Sequence, residues 1–277
     1  MTIATRRLGK TGQDVTMLGL GGEGVLRTFG RDRDATTLIN RALDLGIAYC
    51  ESARAYSGSE SYYGKALRER RKDIFLTSKS HDRTKQGARA HLHETLSNMR
   101  TDHLDLWQVH DVREEEEIAE IFGPGGAIEA FREAKQQGTT RFIGVTGHHD
   151  PRITVQCMEL FDFDTVLMPV NPAEIGGNGF VSEVLPRAKE KDMGVIGMKA
   201  YFRGFASQLP WYTSMEPFLR YALSQPVSTV VIGCDDIAQL EENVRFAEGF
   251  EPMAEEEQKK LIRDTSPFGR KLTYYKP

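Results

Sequence analysis

Two hydrophobic patterns alternate along this chain. Short apolar runs, such as residues 74–79 and 104–110, are typical of buried strands. Between them, apolar residues recur every three or four positions, as Leu38, Ile39 and Ala42 do, which is typical of amphipathic helices. The first pattern predicts eight strands, at residues 17–22, 47–51, 74–79, 104–110, 141–146, 165–170, 194–199 and 227–233.

A stretch of helical pattern follows each predicted strand. It predicts helices at residues 34–45, 59–70, 85–100, 127–137, 151–159, 181–191, 216–224 and 237–246. Connections that contain a helix are long enough to cross over a sheet, so we expect parallel strands. Eight strand–helix units in 277 residues are typical of an α/β fold, the closed (β/α)8 or TIM barrel. An open doubly wound sheet is the alternative, but no GxGxxG motif follows the first strand.

The rest of the chain fits one barrel. Residues 6–15 hold two extended pieces around a Gly-Lys-Thr-Gly turn, which predicts an N-terminal β-hairpin. No shift in composition and no repeat beyond the strand–helix alternation indicates a second domain. We therefore expect residues 1–277 to form a single domain.

Composition narrows the class of protein. Hydrophobic residues at 39% and charged residues at 27% describe a globular chain with a substantial core. The net charge of −4 gives no reason to expect a nucleic acid or an anionic membrane as partner. Cys50, Cys157 and Cys234 show no metal-ligand spacing, which favours a reducing compartment over disulfides or structural zinc. No secretory signal or membrane-spanning apolar window is visible, so we expect a cytoplasmic location.

Polar side chains stand at the ends of three consecutive predicted strands. Glu51 ends the second strand, with Tyr56 just beyond it, Lys79 ends the third, and His110 ends the fourth. On a barrel, the C-terminal ends of the strands face one mouth, so these side chains should meet there. One such residue is more often a solvated rim or core residue. The combination indicates proton chemistry on a carbonyl or an alcohol.

These residues belong to a wider resemblance to the aldo-keto reductase family. The chain reads Glu-Ser-Ala-Arg-Ala-Tyr at 51–56, where the family usually has Asp-Thr-Ala-x-x-Tyr. The resemblance continues at residues 59–60, 64–67, 77–79, 104–110, 144–146, 231–233 and 240–243. It implies a barrel whose floor is capped by the hairpin, and an oxidoreductase that moves hydride between a nicotinamide and a small carbonyl compound.

The resemblance also implies roles for the four rim residues. Tyr56 would be the general acid, His110 would orient the carbonyl, and Glu51 would pair with Lys79. A free phenol has a pKa near ~10, and an adjacent ammonium such as that of Lys79 is expected to lower it. Glu51 departs from the family's Asp by one methylene. Either it pairs with Lys79 as Asp would, or the pH optimum, the substrate or the reductase activity is changed.

By the same resemblance, further residues would hold the cofactor. Several depart from the usual family residues, because Gly147 stands where Asn is common and no aromatic is offered for stacking. The predicted contacts are Thr146, Gly147, Met168, Asn171, Met198, Lys199, Gly233, Cys234, Asp235, Gln239 and Asn243. Lys199 would meet the pyrophosphate. Gly233 and Gln239 occupy positions that are basic in many NADP-binding relatives, so NADP(H) is expected first and NAD(H) is the alternative.

Two other functions stay open at this stage. The chain could be a nicotinamide-binding sensor or regulatory relative without turnover, since Glu51 and the amide contacts are altered. His148, His149 and Asp150 could instead join His110 and Glu51 in a metal site. Their spacing matches no metal signature, so no metal is expected. Residues 114–117 are expected to be a solvated loop or a first helical turn, and residues 111–126 a loop that overhangs the mouth.

Overall fold

A computed structural model describes residues 2–175 and 178–276 of the chain. Two short antiparallel strands come first, β1 (Thr5–Arg7) and β2 (Asp14–Thr16). Eight parallel strands then form a closed barrel in sequence order, and β10 pairs with β3 to close it. They are β3 (Leu18–Gly24), β4 (Tyr49–Glu51), β5 (Phe75–Ser80), β6 (Leu104–Val109), β7 (Thr140–Thr146), β8 (Thr165–Pro169), β9 (Gly194–Met198) and β10 (Thr229–Cys234). The predicted (β/α)8 barrel with an N-terminal hairpin is confirmed.

Helices surround the barrel, and those before β10 supply the crossovers between its strands. They are α1 (Asp32–Asp44), α2 (Ser59–Ala66), α3 (Lys85–Met99), α4 (Glu115–Phe122), α5 (Ala127–Gln136), α6 (Pro151–Leu160), α7 (Phe180–Glu190), α8 (Glu216–Ser224), α9 (Ile237–Glu248), α10 (Glu255–Thr265) and α11 (Gly269–Leu272). None of the helices that the structure describes combines the length and apolarity needed to cross a bilayer.

Three segments differ from the predicted elements. Helix α2 ends at Ala66 and a 3-10 turn follows over Arg68–Asp73, because Arg68 takes a left-handed φ of 43° that an α-helix cannot continue through. Residues 115–122 form a helix within the predicted overhanging loop, and its apolar Ile118 and Ile121 are buried. Helices α10 and α11 were not predicted, and they carry the C-terminal tail back towards the barrel mouth.

The barrel interior and the hairpin share one apolar cluster. Leu8 and Val15 pack with inward residues of the strands: Tyr49, Phe75, Leu106, Leu167, Ile196 and Val231. The turn of the hairpin meets the start of β9, where a Cβ on Gly9 would lie 2.2 Å from the Gly194 backbone nitrogen. The hairpin therefore covers the N-terminal ends of the strands, and the opposite, C-terminal end stays open as the mouth.

Candidate functional site

A cleft of about 1350 Å³ opens at the C-terminal ends of the strands. Glycine residues at the end of β3, the loop after β4, and the ends of β5, β6, β7, β9 and β10 contribute to its walls. The C-terminal tail adds Tyr274 and Tyr275. Sites of (β/α)8 enzymes lie at this end of the barrel because the loops after the strands converge there.

Lys79 lies on the wall of this cleft, and Glu51 holds it. Its side chain is fully buried, and its Nζ is 3.1 Å from Glu51 Oε1 and donates to the Ser52 carbonyl at 2.9 Å. The other carboxylate oxygen, Glu51 Oε2, is buried without a hydrogen-bond partner. Burial lowers the pKa of Lys79, and the Glu51 carboxylate opposes that shift. The longer Glu side chain thus reaches the lysine directly.

Tyr56 stands beside Lys79 in the loop after β4. The Lys79 Nζ is 5.0 Å and the Arg27 guanidinium carbon 5.1 Å from the centroid of its ring. The ring packs against Gly22, where a Cβ would lie 2.6 Å from Tyr56 Cδ2. Only a glycine at position 22 leaves room for the Tyr56 ring in this position.

The shift in the pKa of Tyr56 is opposite in direction to the expected one. Burial raises the pKa well above 10, the Glu51 and Glu23 carboxylates raise it further, and Arg27 opposes them. The expectation of a lowered Tyr56 pKa is wrong as a net result, because burial and the nearby carboxylates outweigh the one opposing cation, Arg27. The phenol is therefore protonated at neutral pH and can donate a proton.

His110 follows β6 directly and faces the Tyr56 ring. The two ring centroids are 5.9 Å apart and the ring planes are nearly perpendicular, at 86°. Burial lowers the pKa of His110 well below 6.5, and the charge of Lys79 lowers it further. The imidazole is neutral, and its buried Nδ1 has no hydrogen-bond partner. A neutral imidazole at this place can donate a hydrogen bond to a substrate oxygen.

Seven of the residues predicted to contact the cofactor line the cleft. They are Thr146, Met198, Lys199, Gly233, Asp235, Gln239 and Asn243. The Lys199 amine borders the cleft and lies 4.9 Å from the centroid of the Tyr275 ring. Burial lowers the pKa of Lys199, and the carboxylates of Glu23 and Asp111 oppose that shift.

Met168 and Asn171 do not line the cleft as predicted. Met168 is fully buried in the cluster between barrel and helices, and the preceding residue, Leu167, lines the cleft instead. Successive side chains of a strand point to opposite faces, so only one of the two can face the mouth. Asn171 is fully buried, and its amide nitrogen donates to the Lys199 carbonyl at 3.2 Å and to the Tyr275 hydroxyl at 3.1 Å.

Gly147 and Cys234 also lie outside the lining. A Cβ on Gly147 would be 2.3 Å from Thr154 Oγ1, so an Asn side chain at this position would require the Thr154 hydroxyl to move. Cys234 is 1% exposed, and its sulfur accepts from the Asn243 amide at 3.5 Å. These two residues support the wall from behind.

The start of α9 forms the far end of the cleft. The Asp236 carboxylate accepts from the Gln239 backbone N–H at 2.9 Å, and the Gln239 side chain accepts from the Asp235 N–H at 2.9 Å. Side chains of this chain therefore already cap the helix N-terminus.

Several residues in or behind the cleft wall carry no signal in the sequence. Glu23 accepts from Arg27 at 2.6 Å and lies 3.5 Å from Arg203, so β3 and the loop after β9 meet across the cleft. In the tail, the hydroxyl of Tyr275 donates to the fully buried carboxylate of Glu174. Isolated charges and a terminal tyrosine carry no local signal of a site, and distant parts of the chain bring them together.

The histidines after β7 cluster with Asp111, and not with Glu51 and Asp150 as the metal alternative supposed. One ligand atom from each of Asp111, His148 and His149 lies within 4.8 Å of the others. Asp150 instead caps α6 and pairs with Arg152. The ligand atoms of Asp111, His148 and His149 are close enough to hold a cation, but the Arg113 guanidinium already forms an ion pair with Asp111 at 2.7 Å.

The fold and the residues at the barrel mouth together define the class of protein. The family model for the aldo/keto reductase family matches residues 17–217, and the chain belongs to that family. The resemblance noted from the sequence is thereby confirmed, and so is the assignment of the chain to a family of oxidoreductases.

Particular relatives extend the comparison over nearly the whole chain. YqkF of Bacillus subtilis (strain 168), described as an uncharacterized oxidoreductase, is 28% identical over 94% of this chain and 96% of its own length. L-galactose dehydrogenase of Arabidopsis thaliana is 27% identical over 87% of each chain.

Solved structures agree in fold. The holo form of aldo-keto reductase AKR11C1 from Bacillus halodurans matches with a TM-score of 0.79 and 23% identity over 95% of this chain and 96% of its own. An aldo-keto reductase from Klebsiella pneumoniae in complex with NADPH matches with a TM-score of 0.78 and 19% identity, over 95% of each chain.

Proposed function

We propose that this protein transfers a hydride between a nicotinamide cofactor and the carbonyl carbon of a small aldehyde or ketone. The carrying observation is the arrangement at the mouth, where the Tyr56 ring lies beside the buried Lys79 ammonium, which Glu51 holds. In the reduction direction, the developing alkoxide needs a proton. A protonated phenol in a desolvated wall is a suitable general acid.

The cleft fits a dinucleotide. Its volume of about 1350 Å³ exceeds the roughly 300–1,000 Å³ of pockets for drug-sized ligands. Lys199 presents a cation to it, which suits a pyrophosphate. When bound, the nicotinamide supplies or accepts the hydride. Thr146 and Met198 would border the nicotinamide end, and Gln239 and Asn243 the adenosine end.

NADP(H) is proposed as the preferred cofactor and NAD(H) as the alternative. A solved neighbour in complex with NADPH supports the first. The carboxylate cap of α9 and the amide of Gln239 at the adenosine end support the second, because a 2′-phosphate prefers Lys or Arg.

In this mechanism each rim residue has one task. Tyr56 donates its proton to the carbonyl oxygen, or accepts one from an alcohol in the reverse direction. Lys79 stabilises the phenolate formed when that proton leaves, and Glu51 keeps the ammonium in place. His110, neutral and edge-on to Tyr56, donates a hydrogen bond that orients the carbonyl and stabilises its developing negative charge.

Cofactor titration tests the binding half of the proposal. NADPH and NADH are titrated separately into the purified protein, and binding is followed by fluorescence. We expect both to bind, NADPH more tightly. The reverse order would overturn the NADP(H) preference and leave the reductase proposal standing.

The Tyr56→Phe variant tests the chemistry. It should bind the cofactor as the original protein does and lose roughly 10²- to 10⁴-fold in kcat for aldehyde reduction. Tyr221→Phe is the matched control, since Tyr221 on α8 is buried in an apolar cluster and does not line the cleft. Unchanged turnover in Tyr56→Phe would refute its role. Cofactor binding without turnover over a broad carbonyl panel would favour the non-catalytic sensor.

A further inference from the structure

A carboxylate in the cleft holds two cations from different segments of the chain. Glu23, on β3, accepts at Oε1 from Arg27 at 2.6 Å. Its other oxygen, Oε2, is 3.5 Å from the guanidinium of Arg203, in the 3-10 segment Phe202–Gln208 that follows β9. All three side chains line the cleft and are partly exposed, so a ligand in the cleft can reach them. We call these two ion pairs the Glu23 bridge.

The Glu23 bridge lies at the end of β10. That strand stands between β9 and β3 in the barrel, and a Cβ on Gly233, near its end, would lie 2.7 Å from Glu23 Cβ. The proposed dinucleotide extends from Met198, at the end of β9, to Gln239 on α9, the helix after β10. Its central part, the pyrophosphate, therefore has to pass the Glu23 bridge.

The cations at this bridge have the chemistry that a pyrophosphate needs. A guanidinium binds two phosphate oxygens at once through its planar fork of N–H groups. Lys199 belongs to the same group of charges: burial lowers its pKa, the Glu23 carboxylate opposes that shift, and Arg203 and Arg27 add to it. One carboxylate thus faces three cations, and it already holds the two guanidinium groups.

The segment that carries two of these cations has a strained backbone. Seven non-glycine residues among residues 2–175 and 178–276 take a left-handed φ, and three of them are Lys199 at 57°, Phe202 at 52° and Arg203 at 57°. This conformation costs energy for residues other than glycine, and it is found preferentially at functional sites. Ion pairs as exposed as those of Glu23 are weak, so a stronger anionic ligand can displace the carboxylate.

We propose that Glu23 competes with the pyrophosphate of the dinucleotide for Arg27 and Arg203 and thereby weakens cofactor binding. The inference rests on the proposed nicotinamide function and concerns how the same cleft sets its affinity for the cofactor. A bound pyrophosphate takes the guanidinium N–H groups that Glu23 holds in this structure. When the dinucleotide leaves, Glu23 recovers both partners, so the carboxylate favours release of the spent cofactor.

The dinucleotide affinity of Glu23→Gln tests this competition. The change keeps the shape of the side chain and removes its charge. Kd is measured by fluorescence titration for NADPH and NADH, and for inorganic pyrophosphate as a competitor of NADPH. Loss of two exposed ion pairs should tighten all three by about 3- to 30-fold. Glu241→Gln is the matched control, because Glu241 pairs with Arg41 at 2.7 Å, is 37% exposed against 35% for Glu23, and lies outside the cleft lining.

A double-mutant cycle separates competition from simple charge repulsion. Arg203→Gln removes one of the two contested cations and should weaken NADPH binding by about 10-fold. In this background Glu23→Gln should gain less affinity than in the original protein, because one of its two competing contacts is already gone. An equal gain in both backgrounds would show that Glu23 acts on the dinucleotide independently of Arg203, and would overturn the competition.

The remaining outcomes distinguish this inference from the proposed function. If the original protein binds neither NADPH nor NADH, the nicotinamide proposal is wrong and this inference with it. If both bind and Glu23→Gln leaves Kd unchanged or raises it, the competition is overturned and carbonyl reduction stands. A gain of equal size in Glu241→Gln would trace the effect to net charge, and would also overturn the competition.

Discussion

The ion pair between Glu51 and Lys79 makes a quantitative prediction. Glu51→Gln keeps the shape of the side chain and removes its charge. The Lys79 ammonium, fully buried, would keep two neutral acceptors, the Ser52 carbonyl and the new amide oxygen, and would lose its close counter-charge. Removing one member of a buried ion pair costs about 3–5 kcal/mol.

The structure places this case at the lower end of that range. Glu51 uses only one of its oxygens on Lys79, at 3.1 Å, and Lys79 borders an open cleft. We therefore expect a loss of about 3 kcal/mol. In a chain of this size each kcal/mol shifts the thermal midpoint by roughly 2–4 °C, so the midpoint should fall by about 6–12 °C.

Thermal unfolding followed by circular dichroism at pH 7 measures the shift. Glu94→Gln is the control, because Glu94 also pairs with a cation, Arg54, but its side chain is 54% exposed. An exposed pair contributes about 0–1 kcal/mol, so this variant should unfold within a few degrees of the original protein. Equal midpoints for the two variants would show that burial does not strengthen the Glu51–Lys79 pair, and would refute the reasoning.

Three further predictions concern other parts of the molecule. Gly22→Ala should displace the Tyr56 ring, because the added Cβ would lie 2.6 Å from that ring. We expect kcat for aldehyde reduction to fall by about 10²-fold with little change in cofactor binding. Undiminished turnover would contradict this prediction. Burial lowers the pKa of His110 well below 6.5 and that of His148 to about 2. As the pH falls below ~6.5, these two histidines therefore take up protons in the unfolded state and stay neutral in the folded state. The free energy of unfolding should drop by about 3 kcal/mol between pH 6.5 and 5. His148→Asn should remove about half of that drop in urea titrations, and an unchanged pH slope would rule the histidine out. Glu174→Gln should weaken the contacts of Glu174 with Tyr275 and Lys276, which hold the C-terminal tail, by about 1–3 kcal/mol. We expect faster hydrogen exchange over residues 270–276. Unchanged exchange would show that other contacts hold the tail.

The sequence predicted most of the rim chemistry because a barrel simplifies the geometry. Once parallel strands close on themselves, every strand's C-terminal end points to one mouth. Glu51, Lys79 and His110 could therefore be placed together from their positions at strand ends alone. The structure brings them together with Tyr56, and their roles in catalysis stay predictions.

The cofactor contacts were harder to predict, since they depend on which way each side chain points. After Thr165, the run at β8 is apolar because both faces of a parallel barrel strand are buried. Such a run does not show whether Leu167 or Met168 faces the mouth, and the mouth-facing residue is Leu167. Asn171 is a residue type that often contacts ligands, but its amide already donates to the Tyr275 hydroxyl in the tail.

The amino-acid sequence by itself determined the barrel, its hairpin, the family and the strand ends that carry the rim residues, because these depend on local hydrophobic period and chain order. The tertiary structure alone decided which of the predicted residues line the cleft and in which direction the pKa values of its titratable groups shift. Packing sets the first, as the buried Met168 illustrates, and burial with the summed charges of distant segments sets the second, as the raised pKa of Tyr56 illustrates.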